Sequence, residues 1–95
     1  MRASLLYLVN DMEEKRLEEP LSKILVLFEK GIIRPVSFQW SNRNYTVISN
    51  NMWWVDRKVR PIRYGFSVTV KSGETFQLCY KEGDPLWYVE TVILQ

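Results

Sequence analysis

The sequence predicts a mainly β domain of the α+β class, in which one N-terminal helix precedes a five- or six-stranded antiparallel sheet. Its 95 residues are 46% apolar and 25% charged, which is enough for a single hydrophobic core. Apolar residues recur at helical spacing only near the N-terminus, and from Ser22 onward they alternate every second position. Turn-forming glycine, asparagine and serine residues interrupt this alternation at short intervals. We therefore expect one domain over residues 1–95, with a helix over 4–19 and a sheet over 22–94.

The helix is predicted from apolar residues at three- and four-residue spacing: Leu5, Leu8, Val9 and Met12. Pro20 is expected to end it, because a proline disfavours helical geometry in the residue before it. An alternative interpretation places a short strand over residues 3–9. In that case a helix would follow, capped by Asn10, with Glu13 three residues later completing the cap.

The strands are predicted by alternating apolar residues, and short turn sequences separate them. The predicted turns are Lys30-Gly31, Ser41 to Asn44, Ser72-Gly73 and the longer loop Lys81 to Pro85. The polar stretch Ser49-Asn50-Asn51 interrupts a long apolar segment and is interpreted as a β-bulge. A sheet with one strongly apolar face must cover that face. We expect the sheet to curl into a small barrel, with the N-terminal helix closing one end.

The residue types that are missing exclude most catalytic chemistry. The sequence contains no histidine, so neither a Ser-His or Cys-His nucleophile pair nor a histidine-ligated metal site can be built from it. Cys79 is the single cysteine, which excludes an internal disulfide and a cysteine-ligated metal cluster, and we interpret it as a structural thiol. Glu82 and Asp84 share a loop but supply too few oxygen donors for a metal site. We therefore expect a protein that is not an enzyme and that uses no metal and no cofactor.

The apolar run near the N-terminus is too short for a targeting or membrane segment. Leu5 to Val9 are five residues, and a polar, acidic sequence follows them. A secretory signal needs about 7–15 apolar residues, and a membrane span needs about 20. The sequence therefore predicts a cytoplasmic protein with no membrane partner.

Charge is distributed unevenly along the chain. Residues 31–72 hold seven basic residues and one acidic residue, whereas the segments on either side are slightly negative and the whole chain is +2. Within this basic segment lies a cluster of tryptophan and cationic side chains: Trp53, Trp54, Arg57, Lys58, Arg60 and Arg63. Grooves that bind single-stranded nucleic acid combine cations, which neutralise phosphates, with flat rings, on which bases stack. The cluster therefore predicts a non-enzymatic module in which the cations contact phosphates and one of the two tryptophans stacks on a base.

Two other interpretations stay open at this point. In the first, the basic stretch is an ordinary solvated turn, and both tryptophans are buried in the core. In the second, exposed aromatic and arginine side chains anchor a protein partner or a second copy of the chain, as in an accessory domain of a bacterial complex. Because adjacent residues of a strand point to opposite faces, Trp53 and Trp54 cannot both lie in the core if one face is solvated.

Aromatic and turn residues between Phe28 and Val89 follow a recognisable spacing. They are Phe38-Gln39-Trp40, Arg43, Tyr45-Thr46-Val47, Trp54, Tyr64, Val68, Gly73, Phe76, Leu78 and Trp87-Tyr88-Val89. In this spacing the chain resembles a small bacterial domain family of unknown function, some members of which are similar to the C-terminal module of proteins like the error-prone, Y-family DNA polymerases. The resemblance implies work in a nucleic-acid or repair complex, and it implies no catalytic residues.

Overall fold

The computed structural model describes residues 13–94, and in it the chain forms seven antiparallel strands. They are β1 (Glu13–Pro20), β2 (Lys23–Glu29), β3 (Ile32–Trp40), β4 (Arg43–Asp56), β5 (Arg63–Val70), β6 (Thr75–Lys81) and β7 (Trp87–Leu94). All seven belong to one sheet with the order β1-β7-β6-β5-β4-β3-β2. From β2 to β7 each strand therefore pairs with the next one in sequence, while β1 pairs with the last strand.

The two edges of the sheet are joined by two residues. β1 lies at one edge and β2 at the other, yet only Leu21 and Ser22 separate them in the chain. The Leu21 N–H donates to the carbonyl of Trp87 in β7 at 2.8 Å, whereas the Ser22 N–H donates to the carbonyl of Gln39 in β3 at 3.0 Å. Such a short connection requires the sheet to curl until its two edges meet at Leu21 and Ser22, which we call the corner. The curled sheet is a half-barrel.

The hairpin turns lie where the sequence predicted them. Lys30 and Gly31 have φ angles of 51° and 78°, and Ser41 and Asn42 have φ angles of 54° and 62°. Two successive residues with positive φ form the turn whose twist matches that of the flanking strands. Gly73, in the turn between β5 and β6, has a φ of 106°, which favours glycine.

The predicted bulge is confirmed within β4, the longest strand. Its pairing with β5 shifts register between Val47 and Ser49 and again between Asn50 and Met52. Before the first shift, residues 43–46 pair with β3. The strand therefore changes partner along its length, and the bulges bend it where the change occurs.

The helix predicted over residues 4–19 is wrong for the part that the structure describes. Residues 13–20 form β1, which pairs antiparallel with β7, and residues 4–12 lie outside the described range. The alternative prediction of a helix capped by Asn10 is wrong for the same reason, because Glu13 already belongs to a strand. Backbone pairing with β7 decides this segment, and the helical spacing of a few apolar residues gave no sign of it. Pro20 ends an edge strand, a position at which proline is tolerated.

The predicted antiparallel sheet is confirmed, but the predicted fold class and strand count are not. The described residues form an all-β half-barrel of seven strands and contain no helix, in place of an α+β domain with five or six strands and a helix closing one end. The additional strand is β1. It also provides the cover that the helix was expected to supply, because Leu17 of β1 packs against the core.

The core fills the concave side of the half-barrel with aromatic rings and β-branched side chains. The Phe76 ring lies 5.1 Å from the Phe38 ring and 4.9 Å from the Tyr45 ring, measured between centroids, so that three strands contribute to one cluster. The fully buried side chains around it come mainly from β5, β6 and β7: Val68, Val70, Leu78 and Val89. Burial of these apolar side chains is the main stabilising term for a sheet of this size.

Gly65 allows one tryptophan to lie flat against the sheet. Trp54 of β4 is directly opposite Gly65 of β5, on the face away from the core. A Cβ atom at position 65 would overlap the Trp54 indole. Gly65 is therefore required by the packing of Trp54, since its own backbone has the φ angle of an ordinary strand and would accept another residue.

We expect Gly65→Ala to lower the free energy of unfolding by about 1–3 kcal/mol, because the added methyl group displaces the indole. Urea unfolding of the two proteins measures this difference. In a Trp54→Ala background the same Gly65→Ala change should cost much less, since the overlapping ring is gone. Equal costs in both backgrounds would show that the indole is not the cause.

Candidate nucleic-acid interface

An open groove forms where β3 and β4 separate. The two strands pair only between residues 37–40 and 43–46, after which β4 pairs with β5 alone. The amide of Asn50 in β4 donates to the carbonyl of Pro35 in β3 at 3.5 Å, which bridges the diverging strands. Beyond that bridge the concave side of the sheet is accessible between them.

We call this cavity of about 230 Å³ the Trp53 groove. Its lining comes from the β2–β3 turn and β3, from β4 and the residue that follows it, and from β5: Gly31, Ile32, Ile33, Trp53, Val55, Arg57, Tyr64 and Phe66. The lining is apolar and aromatic, apart from the Arg57 guanidinium and the Tyr64 hydroxyl. A groove of this composition suits a flat, partly apolar group carrying a negative charge nearby.

Trp53 is the exposed ring of the groove. It lies opposite Phe66 in the register of β4 and β5, and Phe66 is 4% exposed. Trp53 nevertheless keeps 57% of its surface exposed, because β3 has already left β4 at this level. An aromatic side chain of this size is therefore presented to solvent from a strand that is paired with β5 at this position.

The cations that follow β4 belong to a locally ordered loop. The Lys58 N–H donates to the Asp56 carboxylate at 3.0 Å, which fixes the first turn of the loop. The Arg60 guanidinium donates to the carbonyls of Arg57 at 2.8 Å and Val59 at 3.1 Å. Arg57, Lys58 and Arg60 are all exposed. The loop thus holds three cations close together in the chain, and one of them lines the groove.

The remaining two predicted residues lie on the convex face. Trp54 covers Gly65. Arg63 forms ion pairs with Glu90 of β7 at 3.2 Å and with Glu18 of β1 at 3.6 Å. Arg63 is therefore paired with two carboxylates of the same face, one of which, Glu18, also contacts Lys81 at 3.7 Å.

The six predicted residues consequently fall into two groups. Trp53 and Arg57 line one groove, and two further cations share the loop of Arg57, whereas Trp54 and Arg63 lie on the other face. The prediction that the adjacent tryptophans point to opposite faces is confirmed. The interpretation in which both are core residues is wrong, because more than half of Trp53 is exposed.

Six of the eight residues that line the groove were not among the predicted site residues: Gly31, Ile32, Ile33, Val55, Tyr64 and Phe66. Pro35 is the signal that could have located the opening. A proline cannot donate a backbone hydrogen bond, so its place inside β3 marks a stretch that lacks a strand on one side.

The acidic loop before β7 is occupied by internal hydrogen bonds. The Asp84 carboxylate accepts from the Leu86 N–H and from the Tyr88 hydroxyl, both at 2.9 Å. These two bonds lower the pKa of Asp84, and the same carboxylate raises the pKa of Tyr88. Among the side chains that the structure describes, which begin at Leu17, no group of three or more cysteine and carboxylate side chains is arranged to hold a metal ion.

Comparison with known proteins gives no family for this chain: no protein-family model matches it, and neither a curated protein nor a solved structure is significantly similar to it. The resemblance to the bacterial domain family thus stays a prediction. The described part of the chain contains no helix long and apolar enough to cross a membrane.

Cys79 is a buried thiol. Only 2% of its surface is exposed. Burial in the sheet, with a further contribution from the nearby Glu90 carboxylate, raises the pKa of the Cys79 thiol to about 11. Because the thiolate is the nucleophilic form, this environment suppresses reactivity near neutral pH.

We expect native protein near neutral pH to react with a thiol reagent far more slowly than the same protein unfolded in urea. The rate should rise as the pH approaches about 11, where the thiolate forms. Stopped-flow measurement of thiol modification across this pH range tests the expectation. A Cys79→Ser variant provides the blank, and fast stoichiometric labelling of the native protein at neutral pH would contradict it.

Proposed function

We propose that this protein is a non-enzymatic module that binds single-stranded nucleic acid in the Trp53 groove. The observation that carries the proposal is the exposed Trp53 ring beside Arg57 in one accessible groove. In this proposal a base stacks on Trp53, and Arg57 contacts the adjoining phosphate. Lys58 and Arg60 extend the contact along the backbone.

Energetics support a ligand for the Trp53 ring. An indole exposes a large apolar surface, and leaving it in water forgoes the free energy that its burial would yield. Stacking of a base on an aromatic side chain contributes about 1–3 kcal/mol and tolerates any base, because every base has a flat face. Three cations in the following loop supply the attraction for phosphates that a neutral apolar groove would lack.

Trp54 and Arg63 are left out of this proposed site, although the sequence pattern included them. Trp54 is held against Gly65, and the Arg63 guanidinium is paired with Glu18 and Glu90 on the convex face. Using either for nucleic acid would require breaking contacts that stabilise the sheet. The resemblance to a family with polymerase-associated members is consistent with this ligand class, and a cytoplasmic location is part of the same proposal.

A protein partner is the second candidate ligand. Ile32 lines the same groove and is exposed, and it extends the apolar surface beyond one ring. Tryptophan and arginine are the residues that most often dominate binding energy in protein interfaces. The two candidates differ in salt dependence, because release of counterions from phosphates makes nucleic-acid binding weaken steeply with salt.

We expect Trp53→Leu to weaken binding of a short single-stranded DNA about five- to 150-fold, which corresponds to a loss of about 1–3 kcal/mol of stacking energy. Trp53→Phe should retain more affinity than Trp53→Leu, because it keeps a ring of smaller area. NMR titration of the full chain, followed at residues 53–60 and repeated with RNA and duplex DNA, measures the affinity and locates the contact.

The cations are tested by salt dependence. Removing one phosphate contact by Arg57→Gln should reduce the slope of log affinity against log salt by about 0.7. Lys71→Gln is the matched control, since it removes the same charge away from the groove. Lys71 follows the end of β5, whereas Tyr64, which lines the groove, lies at its beginning. Equal effects of the two variants, or unchanged binding by Trp53→Leu, would contradict the groove assignment. Absence of any binding at low salt would favour the protein partner.

A further inference from the structure

β2 is an edge strand that carries an exposed apolar sequence. Among the described residues it pairs with β3 alone, so that its other side presents unpaired backbone groups. Leu25, Leu27 and Phe28 are 60%, 44% and 70% exposed. The register shift between β2 and β3 places its extra residue, Val36, in β3, and β2 itself therefore stays regular. An exposed, regular and apolar edge is a template for pairing with another strand.

The other edge of the same sheet is built differently. β1 consists of six charged residues, one leucine and one proline, and its last three residues, Glu18 to Pro20, are exposed. Charges and proline at an edge strand are the features with which proteins prevent unwanted pairing. The β1 edge is therefore protected against pairing with another strand and the β2 edge is not, which indicates that another strand covers β2.

The sequence of β2 is complementary to itself in an antiparallel register. The strand reads Lys-Ile-Leu-Val-Leu-Phe-Glu, with opposite charges at its two ends. If two copies pair about a twofold axis at Val26, the facing residues are Lys23 with Glu29, Ile24 with Phe28, Leu25 with Leu27, and Val26 with Val26. Both ends then carry an ion pair, and every pair between them is apolar, which is the arrangement that stabilises antiparallel strands. Glu29 already contacts Arg34 at 2.6 Å through one carboxylate oxygen, and its second oxygen is left to accept from lysine.

From this complementarity we infer that the β2 edge binds a second copy of the chain, joining two half-barrel sheets into one continuous sheet across a twofold axis. The contact is isologous, so it uses the β2 edge of both copies and closes at the dimer. Pairing of β2 with the β1 edge of another copy would instead be heterologous, and it would produce a closed ring or an open filament. The inferred contact lies outside the Trp53 groove and does not depend on the proposed function.

Sedimentation of the full chain over a wide range of concentrations tests the inference. We expect a reversible equilibrium between monomer and dimer that stops at two copies. Trp53→Leu should dimerise like the unchanged protein, which separates this surface from the nucleic-acid groove. A chain that stays monomeric at every concentration, or one that grows beyond the dimer, would overturn the inference.

Charge variants test the register. Lys23→Glu and Glu29→Lys each place like charges at both ends of the pair, and each should weaken dimerisation about tenfold. Combining both changes in one chain should restore dimerisation. Mixing the two single variants should restore it as well, because the heterodimer has opposite charges at both ends of the strand pair. Lys71→Glu is the control for a simple change of net charge. Loss of folding cannot produce this rescue, and failure of both rescues would contradict the register.

Discussion

The fold depends on a connection of two residues between opposite edges of the sheet. Leu21 is hydrogen-bonded to β7 and Ser22 to β3, so the backbone is tied to both ends of the strand order within one step of the chain. The Leu21 side chain is buried, and beside this corner the Trp40 indole N–H donates to the Glu19 carboxylate at 2.9 Å. A flat sheet of seven strands cannot satisfy these contacts. The curl of the half-barrel, and hence the existence of a concave core, follows from them.

The curl also explains why an opening exists. β3 stays close to the corner because the carbonyl of Gln39 accepts a hydrogen bond from Ser22. β4 instead continues alongside β5, and it bends at its two register shifts to do so. β3 and β4 consequently separate at Pro35, next to the segment in which they pair, and the concave side becomes accessible there. Trp53 is exposed because of this geometry, since its position in the register would bury it in a closed barrel. The exposure of Trp53 and the curl of the sheet thus share one cause.

The sequence predicts local features of this fold well and its non-local features poorly. Alternation and turn residues locate β2 to β7, the hairpins and the β4 bulge, because these depend on neighbours in the chain. β1 is mispredicted because its strand state is decided by β7, at the opposite end of the described chain. The site is partly predicted for the same reason. Trp53 and Arg57 follow from the local pattern, whereas the ion pairs that Arg63 makes on the convex face involve β1 and β7, which only the folded sheet brings close.

The pairing of β1 with β7 has a consequence for the order of synthesis. The strands from β2 to β7 can each pair with the strand made just before, so successive hairpins are able to form as the chain leaves the ribosome. β1 is made before all of them, and its pairing partner among the described strands, β7, is made last. Six of the eight residues of β1 are charged, a composition that discourages an unpaired strand from pairing with the apolar β2 edge that follows it directly. The acidic character of β1 therefore serves the growing chain as well as the finished sheet.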